Sequence, residues 1–176
     1  MTKITFPNKT AKQIVEDCGN KLGSGKLLYD TDWYKDEDFY TKEKCRKGTR
    51  EIITDLSSTK GKTWSECKEM GEMLSFAELL WCVIKIPDFL RDYEYSWTSS
   101  RTSGDLLVSA GIFGAEGGGV SGWRPRDSHS ALGCAFSAVK HGKSSMDTLN
   151  GDEASSRGAL EQRIKALEDW KNNTFK

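Results

Sequence analysis

Residues that could do chemistry are few in this chain, and they gather. His129 and His141 are the only histidines. The run Asp127-Ser128-His129 holds the three residue types of a hydrolytic triad. Triad members come from separated elements, because chain neighbours rarely point at one another, so no catalytic role is expected there. The five cysteines, Cys18, Cys45, Cys67, Cys82 and Cys134, are odd in number and none has C-x-x-C spacing. With two histidines, nitrogen donors for zinc are scarce. Buried, reduced thiols are expected, with no metal and no cofactor. The triple glycine 117–119 invites a phosphate-cradle reading, but no G-x-x-x-x-G-K-[ST] is present and no lysine lies nearby. The acidic run EDFYTKE at 37–43 reads as a solvated face rather than a carboxylate pair at work.

What remains is the chemistry of recognition. Trp123, Arg124, Arg126, Asp127, Ser128, His129 and Ser130 combine one aromatic anchor with adaptable polar groups. Ser99, Ser100, Arg101, Ser103 and Asp105 are expected to border the same face. Aromatic, arginine and serine side chains together are the composition of binding hot spots and paratopes. Trp123 is open to two readings at this point, as an exposed anchor or as a buried core plug. Both segments fall in the stretch 97–137, which holds eight of the 17 glycines, eight serines and no lysine.

The elements that must position these residues follow from local signals. Thr10 is a candidate N-cap for a helix over 10–18, with Ala11, Ile14, Val15 and Cys18 on one face and Gly19 as its stop. Strands are expected at 26–30 and 50–56. Thr63-x-x-Glu66 and Ser75-x-x-Glu78 both have capping-box form, so two helices are expected, ending at Gly71 and before Pro87. Tyr93, Tyr95 and Trp97 alternate as on one strand face. Further strands are expected at 105–113 and 132–139, with loops at 114–122 and 123–130. The expected organisation is one domain over 1–140, a linker over 141–154 and a terminal helix over 155–176. Leu160, Ile164, Leu167 and Trp170 share one face of that helix, which could dock on its own domain or support a homo-oligomer.

TWSECKEMGEMLSFAELL resembles the paired-helix segment of C-type-lectin folds, in which a tryptophan opens one helix and a short loop leads to a second. Trp97-Thr98-Ser99-Ser100 resembles the signature of bacterial C-type-lectin-like domains of the DUF1566 kind. Such domains continue with an apolar strand, a glycine-rich turn and a last strand, matched in order by Leu106–Phe113, Gly117–Val120 and Gly133–Phe136. The same layout resembles the variable proteins of diversity-generating retroelements. The likeness covers about residues 60–139. It implies an α+β C-type-lectin-like fold, two helices on a small, mostly antiparallel sheet, and a binding module for a protein or other macromolecule. The calcium-lectin motifs Glu-Pro-Asn, Gln-Pro-Asp and Trp-Asn-Asp are missing, so calcium-dependent sugar binding is not expected. The related formylglycine-generating enzymes need a reactive cysteine pair; no matching motif surrounds Cys134, and that enzyme is the alternative reading.

Bulk properties fit a binding module. The 176 residues are 36% hydrophobic and 30% charged, with zero net charge. That balance argues against a nucleic-acid binder relying on bulk charge. MTKITFPNKTAKQ lacks the apolar core of a signal peptide, and no run approaches the roughly 18 apolar residues of a membrane span. A cytoplasmic location is the expectation, with non-classical export or a virion compatible.

Overall fold

Three hydroxyl residues start three of the helices. Thr10, Thr63 and Ser75 each accept a hydrogen bond from the backbone N–H three residues on, and the side chain at that position accepts from the cap's own N–H. These reciprocal boxes satisfy donors that every helix start leaves open. The computed structural model describes residues 1–91 and 94–138. Its elements, in order, are β1 (Thr2–Phe6), α1 (Ala11–Asp17), β2 (Lys21–Leu22), β3 (Gly25–Lys26) and α2 (Asp38–Thr41). Then come β4 (Gly48–Ile53), α3 (Trp64–Met70), β5 (Glu72–Met73), α4 (Phe76–Lys85) and β6 (Tyr95–Arg101). The last are β7 (Leu107–Gly111), β8 (Gly119–Trp123), β9 (Leu132–Cys134) and β10 (Phe136–Ala138). The class is α+β. The described residues fall in the first of two units, Met1–Val139 and Lys140–Lys176. The expected linker, the terminal helix with Leu160, Ile164, Leu167 and Trp170, and His141 lie outside the described residues.

Two four-stranded sheets carry the architecture. The first has the order β1-β4-β10-β5, all antiparallel, so the first and last described strands flank β4. The second has the order β8-β7-β6-β9, antiparallel except that β9 runs parallel to β6. Strand alternation gives this second sheet two buried faces. Val108, Ala110 and Val120 join the larger core with Phe76, Leu79, Leu80 and Val83 of α4. Trp97, Leu107, Leu132 and Cys134 join a second cluster with Trp64 and Cys67 of α3. The Trp97 indole donates to the Lys62 carbonyl at 3.1 Å and the Trp64 indole to the Thr98 carbonyl at 2.8 Å. Each buried indole N–H is thereby satisfied.

Glu78 ties the two sheets' surroundings together. It is fully buried on α4. Its carboxylate accepts from the Arg46 backbone and Nε at 2.9 Å each, from Arg46 Nη2 at 2.7 Å and from Arg50 Nη2 at 2.6 Å. Burial pushes its pKa up, but hydrogen bonds from Arg46, the Ser75 backbone and Arg50 outweigh that and hold it below the usual value.

Several expectations need correction. The strand expected at 26–30 reduces to Gly25–Lys26 and an isolated parallel bridge of Leu28 with Gly118, where the Asn20 side chain takes both backbone groups of Leu28. The single strand expected over 132–139 is two strands: Ala135 separates β9 from β10, and the chain changes sheets there. The loop expected over 114–122 becomes strand β8 from Gly119 onward. TKITF, with Ile4 and Phe6 turned inward, forms an edge strand that carried no expectation. Tyr95 and Trp97 occupy β6 as expected; Tyr93 lies outside the described residues.

Candidate functional site

Strand register decides which of the expected site residues meet. Arg101 on β6 pairs with Leu107 on β7, and Leu107 pairs with Trp123 on β8. Both expected segments therefore leave the sheet at the same end. From there the 124–131 loop runs back to the start of β9, where Leu132 pairs with Tyr95. The loop so bridges the two ends of the sheet.

Two linked turns shape that loop. The Arg124 N–H donates to Asp127 Oδ2 at 2.8 Å, and the Asp127 N–H returns to the Arg124 carbonyl at 3.0 Å. His129 Nδ1 accepts from the Ala131 N–H at 3.2 Å, and its carbonyl accepts from Leu132 at 2.9 Å. The neutral His129 ring therefore carries its proton on Nε2. A triad needs a histidine that donates from Nδ1 to a carboxylate. Here Nδ1 is an acceptor and Asp127 is spent on Arg124, so these neighbours form no proton relay.

Beneath the loop lies an open cavity of about 330 Å³. Tyr95, Ser121, Trp123 and Leu132 form its sheet side, and Ile112, His129 and Ala131 complete it. Trp123 lies between its two expected placements. It is half-buried, its indole donates to Ser109 Oγ at 2.7 Å, and it packs edge-to-face on Trp97 at 6.1 Å. It also lines the opening, with the His129 ring centroid 6.5 Å away. Arg124, Arg126, Ser128 and Ser130 are exposed along the loop.

The second segment makes a separate patch. Ser99 is exposed on β6. Arg101 lies over the Trp64 ring at 5.0 Å, and its guanidinium pairs with Asp105 at 2.7 Å. Lys68 approaches the same ring at 5.0 Å, so Trp64 meets two cations. Ser103 donates to Glu37 through its backbone at 2.6 Å and its hydroxyl at 3.0 Å. Asp105 holds a left-handed φ of 61° at the hairpin tip. Ser100, unlike Ser99, is held largely inside the fold, although with Ser99 and Arg101 it still lines a surface cavity against α2. It is 2% exposed, its hydroxyl accepts from the Phe76 N–H at 2.8 Å, and it donates to Glu43. Burial pushes the Glu43 carboxyl above its ordinary range, the Ser100 hydroxyl opposes, and Glu78 adds to the rise.

None of the 99–105 residues lines the cavity. The cavity instead uses Tyr95, Ile112, Ser121, Ala131 and Leu132, which carried no functional expectation. Strand alternation around Trp97 would have placed Tyr95 on the same face; the other four needed the register. Among the described residues no group of three or more His, Cys, Asp or Glu is placed to hold a metal ion. Cys45, Cys67, Cys82 and Cys134 are buried. Burial pushes the Cys45 thiol up to about 12 and those of Cys82 and Cys134 well above the ordinary range. No described helix is long and apolar enough to cross a membrane. The chain matches no protein-family model, no curated protein and no solved structure.

Proposed function

We propose that this chain is a non-enzymatic recognition module with a C-type-lectin-like fold that binds a protein or other macromolecule through its 123–130 loop, bordered by the 99–105 hairpin. A role as a variable protein of a diversity-generating retroelement is the finer form of this reading. The observation that carries it is the cavity under a loop tied by its own turns, with exposed Arg124, Arg126, Ser128 and Ser130 beside it. A loop held this way loses little freedom on binding, so more of the contact energy appears as affinity. The two charged hairpin residues, Arg101 and Asp105, are paired with each other and supply a polar rim. A photo-crosslinking residue in place of Ser128 tests the reading. It should trap one discrete partner in the source lysate, while the same group at exposed Lys12 on α1 should not. Equal trapping from both positions would contradict it.

A further inference from the structure

The cavity at Tyr95, Ser121 and Trp123 has a definite size, charge and set of polar atoms, and these specify an occupant. We infer that it is a receptor for one neutral aromatic ring with a hydrogen-bonding edge, the side chain of a tyrosine or tryptophan on a protein ligand. This rests on the recognition reading above and names the chemistry it would read.

Size comes first. About 330 Å³ lies at the small end of ligand pockets. That space admits a ring system of one or two rings, and the open side lets the rest of a ligand lie outside it. Charge comes next. Among the described residues no carboxylate, ammonium or guanidinium lines the cavity. A charged ligand group entering it would lose water without gaining a counter-charge, which is strongly unfavourable. The walls are Tyr95 and Trp123 with Ile112 and Leu132, which favour a flat apolar body and the edge-to-face packing that aromatic rings prefer.

The polar atoms are few and suit one edge donor or acceptor. Ser121 brings a hydroxyl, Tyr95 a phenol and His129 the Nε2–H left by its Nδ1 bond. A sugar ring presents more hydroxyls than these three groups can satisfy, so an aromatic edge is the better match. The receptor is also built in advance. Trp123 is locked by Ser109 on its N–H and by Trp97 against its ring. A side chain at Gly119 would meet the Tyr95 hydroxyl at 2.7 Å, so glycine leaves room for that phenol in the wall. Exposed Arg124, Arg126, Ser128 and Ser130 on the adjoining loop can meet the backbone carbonyls on either side of an inserted residue.

The test uses the full chain and free amino-acid amides as probes. N-acetyl-L-tryptophanamide and N-acetyl-L-tyrosinamide are titrated while the Trp123 indole N–H resonance, assigned with Trp123→Phe, is followed by NMR. N-acetyl-L-leucinamide and N-acetylglucosamine are the comparators. Both aromatic amides should give saturable shifts, and Ser121→Phe, which fills the cavity, should weaken them by about tenfold or more. If Ser121→Phe loses its dispersed spectrum, Ala131→Leu at the rim replaces it with the same expected loss. No saturable shift, equal or tighter binding of leucinamide or the sugar, or unchanged binding in the filled variant would overturn the inference. Loss of amide binding with Ser128 crosslinking intact would sink only the ring receptor. Loss of the Ser128 crosslink with amide binding intact would sink the macromolecular reading instead.

Discussion

Replacing Glu78 by alanine should be the most damaging single change to a charged residue in the described chain. Its carboxylate accepts from the backbone of Arg46 and of Ser75 and from the side chains of Arg46 and Arg50. Arg50 already leaves Nε and Nη1 without partners among the described residues. Without Glu78, its Nη2 keeps, among the described residues, only the Arg46 carbonyl at 3.3 Å, and the guanidinium stays on the Phe6 ring at 4.2 Å. Removing one partner of a buried ion pair costs about 3–5 kcal/mol. Arg46 is 45% exposed and can turn to water, which favours the low end. Loss of the carboxylate's bond from the Ser75 N–H adds about 1 kcal/mol, for roughly 4 kcal/mol in all. At about 2–4 °C per kcal/mol for a chain of this size, Tm should fall by about 8–16 °C. The pH dependence has a definite sign. The folded-state pKa of Glu78 lies below its unfolded value. Its contribution is therefore full above the ordinary glutamate value of about 4.3 and is lost as pH falls through the lower folded value. Circular dichroism melts at pH 7 and pH 3 test both parts: the gap between wild type and Glu78→Ala should be wide at pH 7 and narrower at pH 3. A variant melting within about 2 °C of wild type at pH 7 would refute the reasoning.

Other perturbations separate fold from site. Glu43→Gln should raise Tm at pH 7 and have little effect at pH 4, because Glu43's raised pKa makes its ionised form the unfavourable one, a penalty absent below the unfolded value. Gly111→Ala should destabilise severely in a denaturant melt, since its Cβ would stand 2.0 Å from the Glu94 carbonyl oxygen. An unchanged midpoint would show that the β6–β7 pairing is not as described. Alkylation of the native protein at pH 8 should be slow at Cys45, Cys82 and Cys134, whose burial disfavours the thiolate, and fastest at half-exposed Cys18. Rapid labelling of Cys134 would revive the thiol-enzyme alternative.

The helix starts were legible because capping is local: a hydroxyl and a carboxylate or amide three residues apart satisfy one turn without outside help. The α+β class could be read from the caps and the alternation, and the segments 99–105 and 123–130 stand out by composition alone as candidates. Ser100 could not be separated from its exposed neighbour Ser99, because what buries it, the start of α4 and Glu43, lies far away in sequence. Leu28 looks like a strand residue, yet a single asparagine side chain takes its backbone. The cavity was the least legible part. Tyr95, Ser121 and Leu132 sit on three strands, and only the parallel pairing of β9 with β6 returns the 124–131 loop across them. Non-local register of that kind leaves no local sequence mark.

The measurement closest to the central claim is affinity capture from the source lysate and envelope fractions, with the intact chain beside its Arg124→Ala/Arg126→Ala form. Both arginines are exposed and the loop's turns use only the backbone of Arg124, so the double variant should keep its melting curve. The account predicts a partner retained by the intact chain and lost by the folded double variant. A partner held equally by both would contradict it and move recognition away from the 123–130 loop.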